Sequence, residues 1–284
     1  MRKILVIGIK GMAGHVIFRK FQKTGKYQVF GMARNVENSE NVFNLDISNT
    51  QELQKIIAEY QFDFVINCIG ILNKDAENNP AKAIWFNSYF PHFLEEITKN
   101  TATKIIHIST DCVFNGKKGG YTENDFKDGV GFYAQSKALG ELDNEKDITI
   151  RTSIIGPELN KTGIGLFHWF MSQPENAPLK GYSQAFWSGL TTIELANVLL
   201  YIIENNISGI LQVAPKTKID KYELLKLFNE VFRNNSHQII ADDHYKVDKS
   251  MISIRNDFDY KVPDYKTMLL EMKNWIEIEK LYHY

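Results

Sequence analysis

Cysteine is scarce in this chain: Cys68 and Cys112 are the only two in 284 residues. Each closes a predicted strand and reads as a small buried hydrophobe in a reducing cytoplasm, which leaves no disulfide to hold the fold. An excess of either charge is missing too. Thirty-three Lys and Arg against 34 Asp and Glu give a net charge of −1, so no basic field points to nucleic acid and no acidic tail suggests a solvating segment. An anionic ligand must therefore be held by a few local groups. Long apolar runs are also absent. The opening "MRKILVIGIKGMAG" superficially resembles a secretion signal, but its run "ILVIGI" is shorter than the usual core of about 7–15 residues and gives way to a glycine-rich turn. No run approaches the ~20 residues of a membrane span. The seven histidines show no H-x-x-x-H and no Cys/His cluster at ligand spacing, so no metal site is expected. With 44% hydrophobic and 24% charged residues and no internal repeat, the composition is that of an ordinary globular protein of the cytoplasm.

What is present is alternation. Short Val/Ile-rich runs at 3–8, 27–33, 41–46, 62–70, 103–110 and 147–155 predict six strands. Helical patterns lie between them at about 12–24, 50–60 and 80–99, and from "GFYAQSKALGEL" (131–142). Near-continuous apolar runs suit strands buried on both faces, and right-handed crossovers then give a doubly wound, Rossmann-like parallel sheet. After Pro157 the regularity breaks into an aromatic, proline- and glycine-containing stretch (166–190). A helix over 191–206 with Thr192 as its cap, a seventh strand over 209–215, and helices over 221–232 and 265–281 follow. The expected organisation is a sheet domain of 1–157 and 191–214 with a smaller, mostly helical C-terminal region of 158–190 and 215–284.

Strand one runs directly into Gly8-Ile9-Lys10-Gly11-Met12-Ala13-Gly14. Glycine there permits a tight turn, backbone approach to a pyrophosphate and close helix–strand packing, and the next helix offers its unpaired N–H groups to phosphate. Gly8, Lys10, Gly11, Met12, Ala13 and Gly14 are the candidate phosphate-side residues. The acid that grips a ribose 2′-hydroxyl at the end of strand two is missing. Arg34 stands there instead and can pair with a 2′-phosphate, so NADPH is the expected cofactor, with NADH left open. Sheet topology puts Asp46 and Ile47 near the adenine and Asn67, Cys68, Ile69 and Gly70 along the cofactor.

Strand five ends in "HISTDCVF", with Ser109, Thr110 and Asp111 at its carboxyl end. Tyr133 and Lys137, one helical turn apart, follow. A hydroxyl, a phenol and an ammonium beside a nicotinamide suit carbonyl reduction. The phenol protonates the carbonyl oxygen, Thr110 polarises it, and Lys137 is expected to raise phenol acidity by about 10²–10³, roughly 3–4 kcal/mol. His107 reads as a core residue, and Trp187 as a candidate base or sugar platform or cap packing. Glu123 and Asp125 read as loop structure or subunit contact.

The block "STDCVFNGKKGGYTENDFKDGVGFYAQSKALGE" resembles the S-T-D-x-V-F…Y-x-E-x-D…Y-G-x-S-K-x-x-G-E signature of extended short-chain dehydrogenases. It is most similar to dTDP-4-dehydrorhamnose reductases and related nucleotide-sugar 4-ketoreductases. The resemblance spans the chain and is strongest over 1–157. It implies Thr110, Tyr133 and Lys137 as the catalytic set, Asn87 as the supporting helix asparagine on the cofactor side, and Ser109, Asp111, Lys249, Ser250 and Arg255 as substrate-side candidates. A nucleotide-diphosphate sugar is the implied partner, for a monomer or homodimer. Three departures stand out: Ala134 replaces a glycine, the proline before "DGVGFY" is missing, and "KGYSQAFWSGLTT" differs from the D-Q-x-G-x-P-T stretch. The last leaves dTDP and UDP sugars both open. Two other readings remain: an epimerase or dehydratase, against which the missing strand-two acid argues, and a non-catalytic NADP-binding regulatory subunit.

Overall fold

Isoleucine, valine and leucine alternate faces along β1 (Lys3–Ile7), so one strand feeds two cores. Ile4 and Val6 join one buried cluster and Leu5 and Ile7 join another, which is what a central strand covered on both sides requires. The computed structural model describes residues 1–284. After β1 come α1 (Met12–Thr24), β2 (Gln28–Ala33), β3 (Val42–Asn44), α2 (Thr50–Tyr60) and β4 (Phe64–Asn67). Next are α3 (Asn73–Asn78), α4 (Pro80–Ala83), a π-helical turn (Ile84–Tyr89) and α5 (Phe90–Thr98). Then follow β5 (Lys104–Ser109), a 3₁₀ turn (Asp111–Val113), α6 (Phe132–Leu139), β6 (Ile148–Arg151), β7 (Ile154–Ile155), α7 (Leu166–Met171), β8 (Leu179–Trp187) and β9 (Leu190–Thr191). The chain ends with α8 (Thr192–Asn205), β10 (Gly209–Gln212), β11 (Ile219–Asp220), α9 (Lys221–Arg233), β12 (Ile239–Asp248) and α10 (Tyr265–Glu279).

Seven strands form one sheet in the order β10-β6-β5-β4-β1-β2-β3, and every pairing in it is parallel. The order reverses between β1 and β4. The carboxyl ends of those two strands therefore flank a crevice, the place where such sheets bind ligands.

Several elements differ from the expectation, each for a physical reason. The strand expected over 147–155 is broken: β6 ends at Arg151, and β7 leaves the main sheet to pair with β9. The helix cap is Thr191, whose side chain accepts from Glu194 N–H; Thr192 is the first helical residue and is fully buried. The C-terminal region adds a three-stranded sheet, β11-β8-β12, to the helices expected there. The apolar cluster that covers one face of the main sheet runs on into α9 and α10, so the two regions share one core. No helix is long and apolar enough to cross a membrane.

Candidate active site

The glycine turn is built by exclusion. Gly8 has a φ of +95°, and a Cβ on Gly14 would lie 2.2 Å from the Gly8 carbonyl oxygen, so α1 packs against the turn only without a side chain there. Gly11 stands at the N-cap of α1, with no side-chain cap and no acid in the first turn. The positive end of the helix is thus left open to an anion. Two cavities meet over this turn. One, about 510 Å³, is lined by Gly8, Arg34, Asp46 and Ile47 among others. The other, about 520 Å³, is lined by Met12, Ala13, Ser109, Thr110, Asp111, Tyr133 and Lys137 among others. They share Lys10, Gly11, Cys68, Ile69 and Gly70, which makes one groove. Its shape and its open helix end fit an extended anionic dinucleotide. Arg34 is exposed and pairs with Asp46 at 3.3 Å, and Lys10 Nζ reaches the Asn35 carbonyl at 3.2 Å. Both cations line the cavity that also carries Asp46 and Ile47.

Three of the expected cofactor residues stand outside the lining. Asn67 is fully buried, its side chain taken up by Ile69 N–H and His107. Gly14 acts through packing. Asn87 sits behind the groove in the π turn, where its amide accepts from Ile71 N–H (2.8 Å) and donates to Ile71 O (2.9 Å) and Ser136 Oγ (3.0 Å). It ties the loop after β4 to the helix that carries Tyr133.

That helix, α6, is pinned at both ends. Glu77 from α3 accepts the N–H groups of Phe132 and Tyr133, both at 3.1 Å, a cap contributed from elsewhere in the chain. At the other end, Gly140 packs so closely that a Cβ would come 1.8 Å from the Asn87 carbonyl oxygen. Lys137 is buried and donates to the Ile108 carbonyl (2.7 Å), with His107 Nε2 at 3.1 Å. Burial pushes its pKa down to about 8, against the raising influence of Glu141 and Cys68. The expected depression of the Tyr133 phenol does not occur. Burial pushes its pKa up, the Cys112 thiol adds to this, and only a hydrogen bond with the Thr110 side chain opposes it. The reason is positional: the lysine nitrogen is engaged by Ile108 and His107, not by the phenol. Thr110 itself accepts from Cys112 N–H and donates to Asp111 Oδ1, each at 3.1 Å.

Other residues fall differently. Ser109 borders the groove, but its hydroxyl donates to Glu141 Oε1 at 2.8 Å; Glu141 is in turn paired with Arg151 at 2.8 Å. Glu123 fastens a loop, accepting from Gln212 N–H (3.0 Å) and Ser253 Oγ (2.6 Å). Asp111 and Cys112 open onto a third cavity of about 770 Å³, lined also by Trp187, Lys221, Lys249 and several aromatic residues. Ser250 is buried beside it and caps Gly120 N–H at 2.9 Å. Arg255 lies elsewhere: it pairs with Asp257 and donates to backbone carbonyls at 208 and 210, along the edge of β10. It lines none of the three cavities, and the substrate-contact expectation for it is withdrawn. Sequence reasoning missed Glu77 and Lys221. Lys221 opens α9 directly after the capping Asp220, and its ammonium lies 4.8 Å from the Trp187 ring. It has no carboxylate within salt-bridge distance. Nothing in a helix-start pattern distinguishes such a residue from a solvated lysine.

A doubly wound parallel sheet, an open glycine turn at its switch point, and a threonine, a tyrosine and a lysine gathered beside it define an oxidoreductase of the extended short-chain dehydrogenase/reductase class. Residues 1–250 match the family model described as RmlD substrate binding domain, and the chain belongs to that family. It is 26% identical over 227 residues to "Probable low-salt glycan biosynthesis reductase Agl14" of Haloferax volcanii, covering 75% of each chain. It is 29% identical over 216 residues to the dTDP-4-dehydrorhamnose reductase of Aggregatibacter actinomycetemcomitans, covering 74% of this chain and 70% of that one. Its fold is similar to that of the dTDP-4-dehydrorhamnose reductase of Bacillus anthracis solved in complex with NADP. That likeness has a TM-score of 0.80 at 19% identity, over 97% of this chain and 99% of the other.

Proposed function

We propose that this protein uses NADPH to reduce the 4-keto group of a nucleotide-diphosphate-linked 4-keto-6-deoxy sugar, in the cytoplasmic synthesis of a glycan or polysaccharide. The observation that carries this reading is the meeting of the cavities: the groove suited to a dinucleotide opens at Asp111 and Cys112 into the larger cation- and aromatic-lined cavity. Tyr133 and Thr110 line the groove next to those two residues.

NADPH, when bound, supplies the hydride. The protein's own residues supply the rest. Tyr133, protonated because its pKa is raised by burial, donates its proton to the ketone oxygen, and the Thr110 hydroxyl polarises that oxygen. Lys137 stabilises the phenolate that results. Arg34 and Lys10 hold the 2′-phosphate, and the open end of α1 holds the pyrophosphate. In the larger cavity Lys221 and Lys249, neither paired with a carboxylate, hold the substrate diphosphate, and Trp187 backs the Lys221 ammonium. Residues 158–190 and 215–284 make up the substrate-binding region, and residues 1–157 and 191–214 the cofactor-binding one. The test is to mix purified protein with NADPH and a panel of dTDP- and UDP-linked 4-keto-6-deoxy sugars and follow the absorbance of the reduced nicotinamide. Stoichiometric oxidation with at least one sugar supports the reading. Product without net oxidation assigns an epimerase, and binding without turnover assigns a regulatory subunit.

A further inference from the structure

A continuous hydrogen-bonded path leads from the groove wall to Lys137 through the interior. Ile69 N–H donates to Asn67 Oδ1 at 3.1 Å, and Asn67 Nδ2 meets His107 Nδ1 at 3.2 Å. His107 Nε2 meets Lys137 Nζ at 3.1 Å, and that nitrogen donates to Ile108 O at 2.7 Å. Asn67 and His107 are fully buried and Lys137 is 3% exposed, so the protein groups must satisfy one another.

The path has a direction. A backbone N–H only donates, so Asn67 Oδ1 accepts and Nδ2 donates to His107 Nδ1. Burial and the neighbouring Lys137 hold the imidazole pKa well below its usual value, so the ring is neutral and carries one proton, which this arrangement puts on Nε2. That N–H points at Lys137 Nζ. Only the neutral amine has a lone pair to receive it; an ammonium is all donor. For Lys137 to be charged, every link must reverse. Nε2 becomes the acceptor, the proton sits on Nδ1, the Asn67 amide turns over to receive it, and the Ile69 N–H then faces an NH₂ group and loses its acceptor.

We propose that His107 and Asn67 are positioning residues that tie the charge of Lys137 to the free or engaged state of the Ile69 N–H in the groove wall. In one state Lys137 is a neutral amine and Ile69 is satisfied within the protein. In the other, Lys137 is an ammonium and the Ile69 N–H has no acceptor within the path. A ligand that offers oxygen atoms to both selects the second state, and Lys137 takes up a proton from solvent as the ligand binds. Titration near pH 8, where burial puts Lys137, brings both states within the working range. Four other titratable groups face the path. Cys68 Sγ is a neutral thiol, its pKa pushed up to about 12 by burial. Glu141 is held by Arg151 and Lys127. On Lys137's own helix, Tyr133 keeps its proton. His92 on α5 acts on His107 only weakly, after burial and Lys137.

The proposal rests on the reading of Lys137 as a reaction residue for its significance, but its test needs no turnover, so the two can fail separately. Long-range ¹H–¹⁵N NMR of the free protein between pH 6.5 and 9.5 reports the His107 tautomer, and the ¹³Cε shift of Lys137 reports its charge. The expected result is a move of the imidazole proton from Nδ1 to Nε2 with the same midpoint as the lysine. A tautomer that stays unchanged while Lys137 titrates overturns the proposal. In Asn67→Asp the carboxylate accepts from both Ile69 and His107 Nδ1–H, locking Nε2 bare. The Lys137 midpoint should then rise by at least one pH unit, a tenfold shift, whereas an unmoved midpoint is a second refutation. If that variant does not fold, the wild-type tautomer measurement decides alone.

Discussion

A phenol whose pKa is raised by burial keeps its proton at every physiological pH, and Tyr133 is such a phenol. In the proposed reaction its acidity has to be lent to it by groups that stabilise the phenolate: Thr110, which hydrogen-bonds the phenol, and the charge of Lys137 one turn along the helix, whose nitrogen is held by Ile108 and His107. Tyr133→Phe keeps the ring and removes the proton. Turnover with the sugar that serves as substrate should fall by about 10²–10⁴, while NADPH affinity, read by fluorescence titration, should change little; unaltered turnover would remove the tyrosine from the chemistry. At the far end of the groove, Arg34 is exposed and held by one ion pair, so it is free to exchange Asp46 for a 2′-phosphate. Arg34→Asp should reverse the preference toward NADH, measured as the ratio of kcat/KM for the two dinucleotides. A ratio equal to that of the wild type would refute the contact. The glycine turn and Thr110, Tyr133 and Lys137 were legible in the chain because each needs a particular residue type at a particular spacing. His107, Glu77 and Lys221 were not, because their roles depend on what folds against them from 30, 56 and 34 residues away.

The helix that carries Tyr133 and Lys137 is short and is placed by its neighbours. Eight residues of α6 form too few turns to be stable alone. Its N-terminus depends on Glu77, its flank on Asn87, and its C-terminus on the absence of a side chain at Gly140. The π turn presents Asn87 and Ser88, both buried, to that helix, and a π-helical turn placed at a functional site is a recurring device. Gly140→Ala would drive a methyl against the Asn87 backbone. We expect a loss of about 1–3 kcal/mol in denaturant unfolding together with a fall in kcat larger than any change in NADPH affinity. A variant as stable and active as wild type would show that the π turn can yield. Elements were readable from sequence where burial is two-sided. The strands of the main sheet announce themselves as apolar runs, whereas β12, "IIADDHYKVD", is mostly exposed or half-exposed and carries no alternation. β8 does alternate, but Gly181 interrupts it because α9 packs so close that a Cβ there would lie 2.6 Å from Tyr222 Cα. The π turn had no signal at all, since its residues fit an α-helix equally well.

Over the whole molecule, the buried titratable groups set where the fold is most stable. Burial lowers Lys137 and Lys221 from 10.5 to about 8. A lysine that is easier to deprotonate when folded destabilises the fold fully below pH 8. Between about 8 and 10.5 the unfolded chain binds more protons than the folded one, so stability rises with pH. Each lysine contributes on the order of 1–2 kcal/mol between pH 7 and 9. Lys104 is shifted the same way, but its partial exposure discounts its share. The thiols act oppositely. Cys68 and Cys112 are raised from 9.0 to about 12 and about 11, so above pH 9 the folded chain holds protons that the unfolded chain has released. The two thiols together remove on the order of 1 kcal/mol by pH 9 and more beyond. Tyr133, Tyr260 and Tyr265, all raised by burial, extend that loss above pH 10. The net expectation is a stability maximum near pH 9–10, about 2 kcal/mol above the value at pH 7. Urea unfolding of the ligand-free, reduced protein at pH 7, 8, 9 and 10 tests this. A midpoint that falls steadily from pH 7 would mean that burial does not hold the ammonium groups of Lys137 and Lys221 below the usual lysine range.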